Sequence, residues 1–329
     1  MNGESDIADT VRRLVDDYRD QCLWFLRRDF YPDGVVETLR TLDYIERYGD
    51  QRAFRRAAAI RRWLSRPSSG PADTRIASGE SYVAGGAALN ELLAAPRLSR
   101  DIDLFHDTDA ALQASWDADR ALLGQAGFQV TVLRERPGLV EARVARQNES
   151  VRVEWARDSA FRFFPLVQHP DLGLVLHPFD LATNKVLALV GRLEPRDWID
   201  VLECDARLQP LGYLAWAASG KDPGFSPQAI LGEATRSGRY SAAEIGTLDF
   251  SGHPPDAAAL SRRWHALLDS ARHVVAALPA EEVGCCVLTD TGELFRGDPL
   301  VLRTALDGGR LRFHPGSIRG ALPRVVDVK

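Results

Sequence analysis

The stretch of sequence that decides the fold is SYVAGGAALNELLAAPRLSRDIDLFH, residues 81–106. Its first four residues, 81–84, predict a short strand. Gly85-Gly86 follows and opens a predicted helix over 86–95. A second strand is predicted over 101–105, where acidic and apolar residues alternate. This succession of strand, glycine turn, helix and strand predicts a mixed α and β domain around it.

The second strand carries two carboxylates on one face. Successive strand side chains point to opposite faces, so Asp101 and Asp103 point the same way, about 7 Å apart along the backbone. Ile102 and Leu104 are then expected to point into the core. Two like charges on one face need a cation, and hard oxygen ligands suit one or two Mg²⁺ ions. Taken alone, such a pair is usually just a solvated strand edge or a turn.

Gly85 and Gly86 predict a turn that binds phosphate. Glycine has no side chain, so backbone N–H groups at the start of the helix can approach a phosphate closely. A phosphate-binding turn and metal ligands within one short unit point to phosphoryl chemistry.

A third carboxylate lies on a later predicted strand. In Val151–Trp155 the valines alternate with Arg152 and Glu154. If this strand neighbours the strand at 101–105, Glu154 shares the acidic face and completes the carboxylate set of a two-metal phosphoryl transfer. An Arg152–Glu154 pair on an exposed strand face explains the same residues, and the sequence leaves both readings open.

The rest of the chain falls into regions with different patterns. Residues 1–66 have helical periodicity, and PSSGP at 67–71 predicts a linker. The other predicted elements are helices over 110–124, 180–192, 196–208, about 227–238 and 256–277, and strands over 128–134, 140–146, 151–155, 283–289, 293–296 and 310–314. We therefore predict an N-terminal helical domain (1–70), a catalytic domain (71–208), a helical region (209–280) and a small β-rich tail (281–329).

Composition excludes several classes of protein. The 329 residues are 45% apolar and 26% charged, which fits a globular protein long enough for two domains. No window approaches the roughly 18 apolar residues of a membrane span, and the acidic N-terminus is unlike a signal peptide. The four cysteines lack metal-ligand spacing, so reduced thiols in a cytoplasm are expected. A net charge of −5 argues against a basic nucleic-acid coat protein.

These motifs together resemble the nucleotidyltransferase superfamily whose archetype is DNA polymerase β. The surrounding sequence is similar to the AbiEii/AbiGii toxin family of bacterial abortive-infection systems. The likeness rests on GGAAL at 85–89 with RLSRDIDLF at 97–105, and on FDLATNKVLAL at 179–189 followed by RDWIDVL at 196–202. It spans about residues 75–210 and leaves 1–70 and 280–329 outside.

The resemblance implies a nucleotidyltransferase-fold mixed sheet with flanking helices, of α+β or α/β class, with an NTP as substrate. It implies that Asp101 and Asp103 hold Mg²⁺, with Mn²⁺ as a substitute, and that Gly85-Gly86 contacts the triphosphate. Gly-Gly stands where many relatives have Gly-Ser. Backbone donors alone would therefore have to bind the phosphate at this turn.

The second half of the resemblance implies that Lys185 neutralises phosphate charge and that Asp197 or Asp200 lines the same cleft. Lys185 also stands out by itself, because only three of the 41 basic residues are lysines and this one lies mid-helix among apolar residues. A compact ammonium suits a triphosphate as a point charge. An interhelical ion pair remains the alternative for Lys185, and salt bridges at a helix start remain the alternative for the two acids.

We expect a Mg²⁺-dependent nucleotidyltransferase that moves a nucleoside monophosphate from an NTP to an acceptor hydroxyl and releases pyrophosphate. The family suggests a toxin with tRNA or another RNA as acceptor and an antitoxin protein as partner. The arginine-rich run at 52–66 either contacts RNA phosphates or forms a solvated face. Two alternatives stay open: nucleotidylation of a small molecule or a protein by the same residues, and a catalytically silent regulator that binds a nucleotide or a partner.

Overall fold

The structure is a computed structural model that describes residues 3–24, 26–32, 34–50, 52–53, 56–57, 79–147 and 149–323. The chain divides into two compact units, one of residues 1–74 with 169–173 and one of residues 75–168 with 174–329. The predicted linker at 67–71 and most of the arginine-rich run at 52–66 lie outside the described residues. The division into four domains stays a prediction.

The smaller unit contains two of the predicted helices, α1 (Gly3–Cys22) and α2 (Gly34–Tyr48). Their apolar side chains recur at helical spacing, so each helix has one apolar stripe to bury. The stripes meet in a shared core of Val11, Leu14, Val15, Tyr18, Cys22, Leu42 and Ile45.

A mixed sheet forms the centre of the larger unit. The strands up to residue 175 are β1 (Ser81–Ala84), β2 (Arg97–Leu98), β3 (Asp101–His106), β4 (Gln129–Arg136), β5 (Leu139–Arg146), β6 (Glu149–Arg157), β7 (Phe161–Arg162), β8 (Val167–His169) and β9 (Gly173–Val175). Seven of them join one sheet in the order β4-β5-β6-β3-β1-β9-β8. The central strand β3 runs parallel to β6 and antiparallel to β1. The predicted fold class, a mixed sheet with flanking helices, is confirmed.

One face of this sheet is covered by helix α4 (Asp109–Gln125), which Thr108 caps through its hydroxyl. Under α4 lies a core of Leu112, Trp116, Val140, Ala142, Val144, Val153 and Trp155. Leu104 packs against this core as predicted. Ile102 does not, because the core extends along β3 only as far as Leu104, and Ile102 is 37% exposed. The expectation that Ile102 lies in the core was wrong.

The other helices of the larger unit are α3 (Gly85–Leu92), α5 (Pro178–Arg192), α6 (Pro195–Arg207), α7 (Leu211–Ala218), α8 (Pro227–Ala234), α9 (Ala242–Gly246) and α10 (Ala257–Ala277). A proline in the first turn starts α5 and α6, and Leu193 in the left-handed conformation ends α5. All eight residues of α7 are buried, so it has no polar face and gave no periodic signal. In the part of the chain that the structure describes, no helix is both long and apolar enough to cross a membrane.

The C-terminal tail combines short strands with a helix. Strand β10 (Asp249–Phe250) precedes this tail and pairs with β2. Strands β11 (Cys286–Thr289) and β12 (Leu311–His314) pair, and β13 (Ser317–Ile318) pairs with β7. Between them lies a helix that the sequence reading missed, α11 (Pro299–Asp307), capped by Asp298 and started by a proline. The strand predicted over 293–296 is reduced to a single bridge at Leu294.

Candidate active site

The face of the sheet away from α4 carries all three predicted carboxylates. The parallel register of β3 and β6 sets Asp103 directly opposite Glu154 and Asp101 directly opposite Arg152. All four side chains share one face, because strand side chains alternate and directly opposite residues point the same way. Glu154 therefore lies beside Asp103. The sequence predicted this arrangement only if the two strands were neighbours, and they are.

Gly85 leaves space for the Asp103 carboxylate. The antiparallel register of β1 and β3 sets Ala84 opposite Asp103, so Gly85 begins its turn next to that carboxylate. Gly85 has a φ of +67°, and a Cβ built on it would overlap the Asp103 carboxylate. Both the backbone conformation and the close approach therefore require glycine here.

Gly86 leaves space for cationic side chains. A Cβ on Gly86 would lie 2.5 Å from Nη2 of Arg97, 3.2 Å from Oγ of Ser99 and 3.6 Å from Nζ of Lys185. Helix α3 starts at this turn without a side-chain cap, because its N-cap residue is Ala84. The departure from Gly-Ser thus has a physical counterpart: Arg97 occupies the space into which a serine side chain would point.

The Asp103 and Glu154 carboxylates both have raised pKa values. Burial is the main cause for Asp103, and Asp101 adds to it, while the nearby charge of Lys185 opposes the shift. Burial also raises the pKa of Glu154, followed by repulsion from Asp103 and Glu141. Asp103 thus repels the charge of Glu154, and a cation placed between the two carboxylates would relieve that repulsion.

Asp101 differs from Asp103 because arginines hold it directly. Arg152 donates from Nε to Oδ1 at 3.1 Å and from Nη2 to Oδ2 at 2.7 Å. Arg196 donates to Oδ2 at 3.2 Å. The third nitrogen of Arg152, Nη1, donates to Glu141 at 3.2 Å. Arg152 thus pairs with Asp101 and Glu141, and the Arg152–Glu154 pair considered from sequence does not form.

Lys185 lies between the two acids of the segment at 196–202. Its Nζ lies 3.1 Å from Oδ1 of Asp197 and 2.9 Å from Oδ2 of Asp200. Burial alone would lower the pKa of Lys185, but the carboxylates of Asp200 and Asp197 outweigh it and raise that pKa. The Asp197 carboxylate is 0% exposed and that of Asp200 is 1% exposed, so both acids contact cations rather than an open cleft.

Two arginines that sequence reasoning missed complete this buried network. Arg97 donates to both oxygens of Asp200, at 2.6 and 2.9 Å. Arg192 donates to both oxygens of Asp197, at 2.6 and 2.9 Å. Arg97 lies 103 residues from Asp200 along the chain, so no local pattern could have paired them.

The donor set of this face suits a hard divalent cation. Asp101, Asp103 and Glu154 supply carboxylate oxygens, the ligands that Mg²⁺ prefers, and Gly85 keeps the space beside Asp103 clear of a side chain. Within the described ranges, no three side chains of His, Cys, Asp or Glu lie close enough together to hold a metal ion. Asp101, one of the three carboxylates, is instead paired with Arg152 and Arg196.

A cavity elsewhere in the larger unit contains none of the predicted catalytic or metal-binding residues. A cavity of about 440 Å³ lies between Asp109 at the start of α4 and Gly138 in the β4–β5 turn. Asp109 lies beyond the C-terminal end of β3, whereas Asp101 is the first residue of that strand. None of the predicted site residues lines this cavity.

The segment that carries the three carboxylates matches a known protein family. Residues 78–207 match the family described as nucleotidyl transferase AbiEii toxin, Type IV TA system. This segment belongs to the AbiEii family. It contains the carboxylate face, the glycine turn and the Lys185 network, so the AbiEii segment is a nucleotidyltransferase enzyme domain of a toxin–antitoxin family.

Among solved structures, the chain is similar to MenT4, a nucleotidyltransferase toxin from Mycobacterium tuberculosis H37Rv, with 15% identity and a TM-score of 0.39 over 68% of this chain and 90% of that one. It is also similar to JHP933 from Helicobacter pylori, with 14% identity and a TM-score of 0.31 over 63% of this chain and 94% of that one. At these values neither similarity bears on what this chain does. No curated protein gives a significant match.

Proposed function

We propose that this enzyme transfers a nucleoside monophosphate from an NTP to an acceptor hydroxyl, with Mg²⁺ as cofactor. In this reaction the acceptor oxygen bonds to the α-phosphorus, the bond from the α-phosphorus to the bridging oxygen breaks, and pyrophosphate leaves. The observation that carries the proposal is the register that sets Asp103 beside Glu154 and next to the Gly85 turn.

The carboxylates have distinct tasks in this proposal. Asp101, Asp103 and Glu154 hold the divalent ion, which supplies positive charge against the triphosphate and the acceptor oxygen. Glu154 lies on the outer side of this set, nearest β5, and takes up the proton of the acceptor hydroxyl. The same residues would serve Mn²⁺.

The glycine turn and Lys185 bind the triphosphate in this proposal. The first N–H groups of α3 have no side-chain cap and are donors for an anion. Lys185 has three N–H donors, and two of them serve Asp197 and Asp200. The third is available to a phosphate beside Gly86, where the ammonium lies. Asp197 and Asp200 then act by holding Lys185 in place.

We further propose RNA, with tRNA as the first candidate, as the acceptor. The supporting observation is that the carboxylate face continues onto β5 and β4 with two more arginines, Arg143 and Arg134. Arg143 is exposed and lies directly opposite Arg152. Facing arginines on an open sheet face suit a chain of phosphates.

The test offers the purified chain Mg²⁺ and each labelled NTP in turn, with total tRNA as acceptor. We expect nuclease-sensitive labelled product with at least one NTP, and none with Asp103→Asn. A nuclease-resistant product would indicate a small-molecule or protein acceptor instead. Nucleotide binding without product over many acceptors would indicate a silent regulator and contradict the proposal.

The family supports two expectations about the cell that belong to the same proposal. An antitoxin protein would oppose this enzyme, and both would work in the cytoplasm. Co-expression that relieves a growth defect caused by this chain would identify the antitoxin. A growth defect that persists in the Asp103→Asn variant would contradict a toxic action through nucleotidyl transfer.

A further inference from the structure

The two aspartates of β3 have different counter-ions. Both oxygens of Asp101 accept hydrogen bonds from Arg152, and Arg196 adds a third. Asp103 forms no ion pair among the described residues, although the charges of Lys185 and Arg196 act on it. The aspartate that is expected to bind a divalent ion together with Asp103 is therefore already neutralised by arginine.

Arg152 has a second carboxylate within reach. Its Nη1 donates to Oε1 of Glu141 at 3.2 Å, and the register sets Glu141 directly opposite Glu154. The Arg152 side chain is 43% exposed, whereas that of Glu141 is 12% exposed. A long, solvated guanidinium can move between two neighbouring carboxylates at small cost, because exposed ion pairs contribute little.

We propose that Arg152 is the counter-ion that Asp101 exchanges for a divalent cation, and that Glu141 keeps Arg152 after the exchange. This inference rests on the proposed function, in which Asp101 is a metal ligand. Arg152 neutralises Asp101 while no ion is bound. When a divalent cation binds to Asp101 and Asp103, Arg152 leaves Asp101 and pairs with Glu141 alone. Arg152 is thus a positioning residue that sets the affinity of the face for the ion.

The chain supplies a matched control in Arg143. It lies directly opposite Arg152 in the β5–β6 register and on the same face. It carries the same charge but, among the described residues, forms no ion pair with either aspartate of β3. An effect of general positive charge would appear in both arginine variants, whereas an exchange at Asp101 involves Arg152 alone.

The experiment measures Mn²⁺ affinity of the purified full chain by electron paramagnetic resonance, without nucleotide. We expect Arg152→Ala, and the milder Arg152→Gln, to bind Mn²⁺ about three- to tenfold more tightly, because no guanidinium competes for Asp101. Arg143→Ala is expected to match the unmodified chain in Mn²⁺ affinity, because Arg143 is proposed to contact RNA phosphates and no RNA is present in this measurement.

Glu141 provides the decisive second comparison. We expect Glu141→Gln to weaken Mn²⁺ binding about threefold, because Arg152 then has only Asp101 as a partner. In the Arg152→Ala background the same Glu141→Gln change is expected to have no effect. An effect of equal size in both backgrounds would mean that Glu141 acts through simple electrostatics and would overturn the exchange.

Unchanged or weaker binding in both Arg152 variants would also overturn the inference. Failure of the proposed function gives a different result, in which Asp101→Asn leaves Mn²⁺ binding intact. Circular dichroism and thermal unfolding of each variant confirm that affinities are compared between folded proteins.

Discussion

The two described lysines lie in buried ion pairs that touch the same helix, α5, and yet they differ in kind. Nζ of Lys221 lies 2.8 Å from a carboxylate oxygen of Asp180 and donates to Oδ1 of Asn184. Asp180 also accepts the backbone N–H groups of Phe163 and Phe164. This pair ties α5 to the chain that follows β7, and it reaches none of the carboxylates of β3.

Lys185 forms ion pairs with two carboxylates and Lys221 with one, although their side chains are equally buried. The carboxylates of Asp200 and Asp197 raise the pKa of Lys185, whereas burial lowers the pKa of Lys221 and outweighs the opposing charges of Asp180 and Asp158. Lys185 also lies beside Gly86 and acts on Asp103. Burial and rarity are therefore common to both lysines, and the neighbouring Gly86, Asp103, Asp197 and Asp200 distinguish Lys185.

The largest expected effect is the loss of nucleotidyl transfer when Asp103, the aspartate on which the charge of Lys185 acts, is replaced. Asp103→Asn is expected to reduce nucleotidyl transfer about a thousandfold or more, because it removes a ligand charge at the reacting phosphate. The raised pKa of Asp103 means that its charge costs folding free energy, so this variant should be at least as stable as the unmodified chain. Chemical denaturation and label transfer check both statements, with the exposed Asp290→Asn as control. A destabilised variant would contradict the second statement, and undiminished label transfer would contradict the first.

The next effect separates the two lysines by stability. Lys221→Met is expected to lower the free energy of unfolding by about 3 kcal/mol, because it leaves Asp180 as a buried charge without its cation. Lys185→Met should cost about 1–2 kcal/mol, since Arg192 and Arg97 still pair with Asp197 and Asp200. Urea denaturation measures both. Equal losses would remove the distinction between the two networks.

A glycine pair tests how closely the turn fits Asp103. Gly85→Ala is expected to cost about 3 kcal/mol, from the strain of a positive φ and the overlap with the Asp103 carboxylate. Gly127→Ala has a similar φ of +78° with nothing within 4 Å, so strain alone should cost about 1 kcal/mol. The difference in unfolding free energy isolates the overlap. Equal costs would mean that the turn adapts to a side chain.

The smallest effect is a pH dependence of opposite sign at the two lysines. Because the pKa of Lys221 is lowered on folding, its contribution to stability rises with pH up to about 10.5, its unfolded value. The raised pKa of Lys185 gives a contribution that is complete below about 10.5 and is lost as pH rises through its folded value. Unfolding free energies of the chain and both methionine variants from pH 8 to 11 reveal the two trends. Parallel trends would contradict the account.

Much of the frame of the site could be predicted from the sequence. Alternation in 101–105 and 151–155 fixes which side chains share a face, and Gly85-Gly86 marks the turn beside them. These are local patterns with a period of two or a required glycine. The pairing of β3 with β6, which brings Glu154 to Asp103, is not local and could only be stated as a condition.

The partners of the charged groups could not be predicted. Arg97, Arg152 and Arg192 are three of many arginines in this chain, and nothing near them in sequence indicates which carboxylate each contacts. The same limit applies to Asp197 and Asp200, which the sequence suggested as cleft residues and which the fold surrounds with cations. Helix α7 was not predicted, because all of its residues are buried and its sequence therefore shows no alternation of polar and apolar faces.

Anomalous scattering from crystals of the full chain soaked in Mn²⁺ would show directly which carboxylates bind the ion. We expect a manganese peak bonded to the Asp103 carboxylate, with Glu154 beside it and Arg152 moved from Asp101 toward Glu141. No peak is expected at Asp180, where Lys221 supplies the counter-charge. Manganese at Asp180, or its absence from Asp103, would contradict the account.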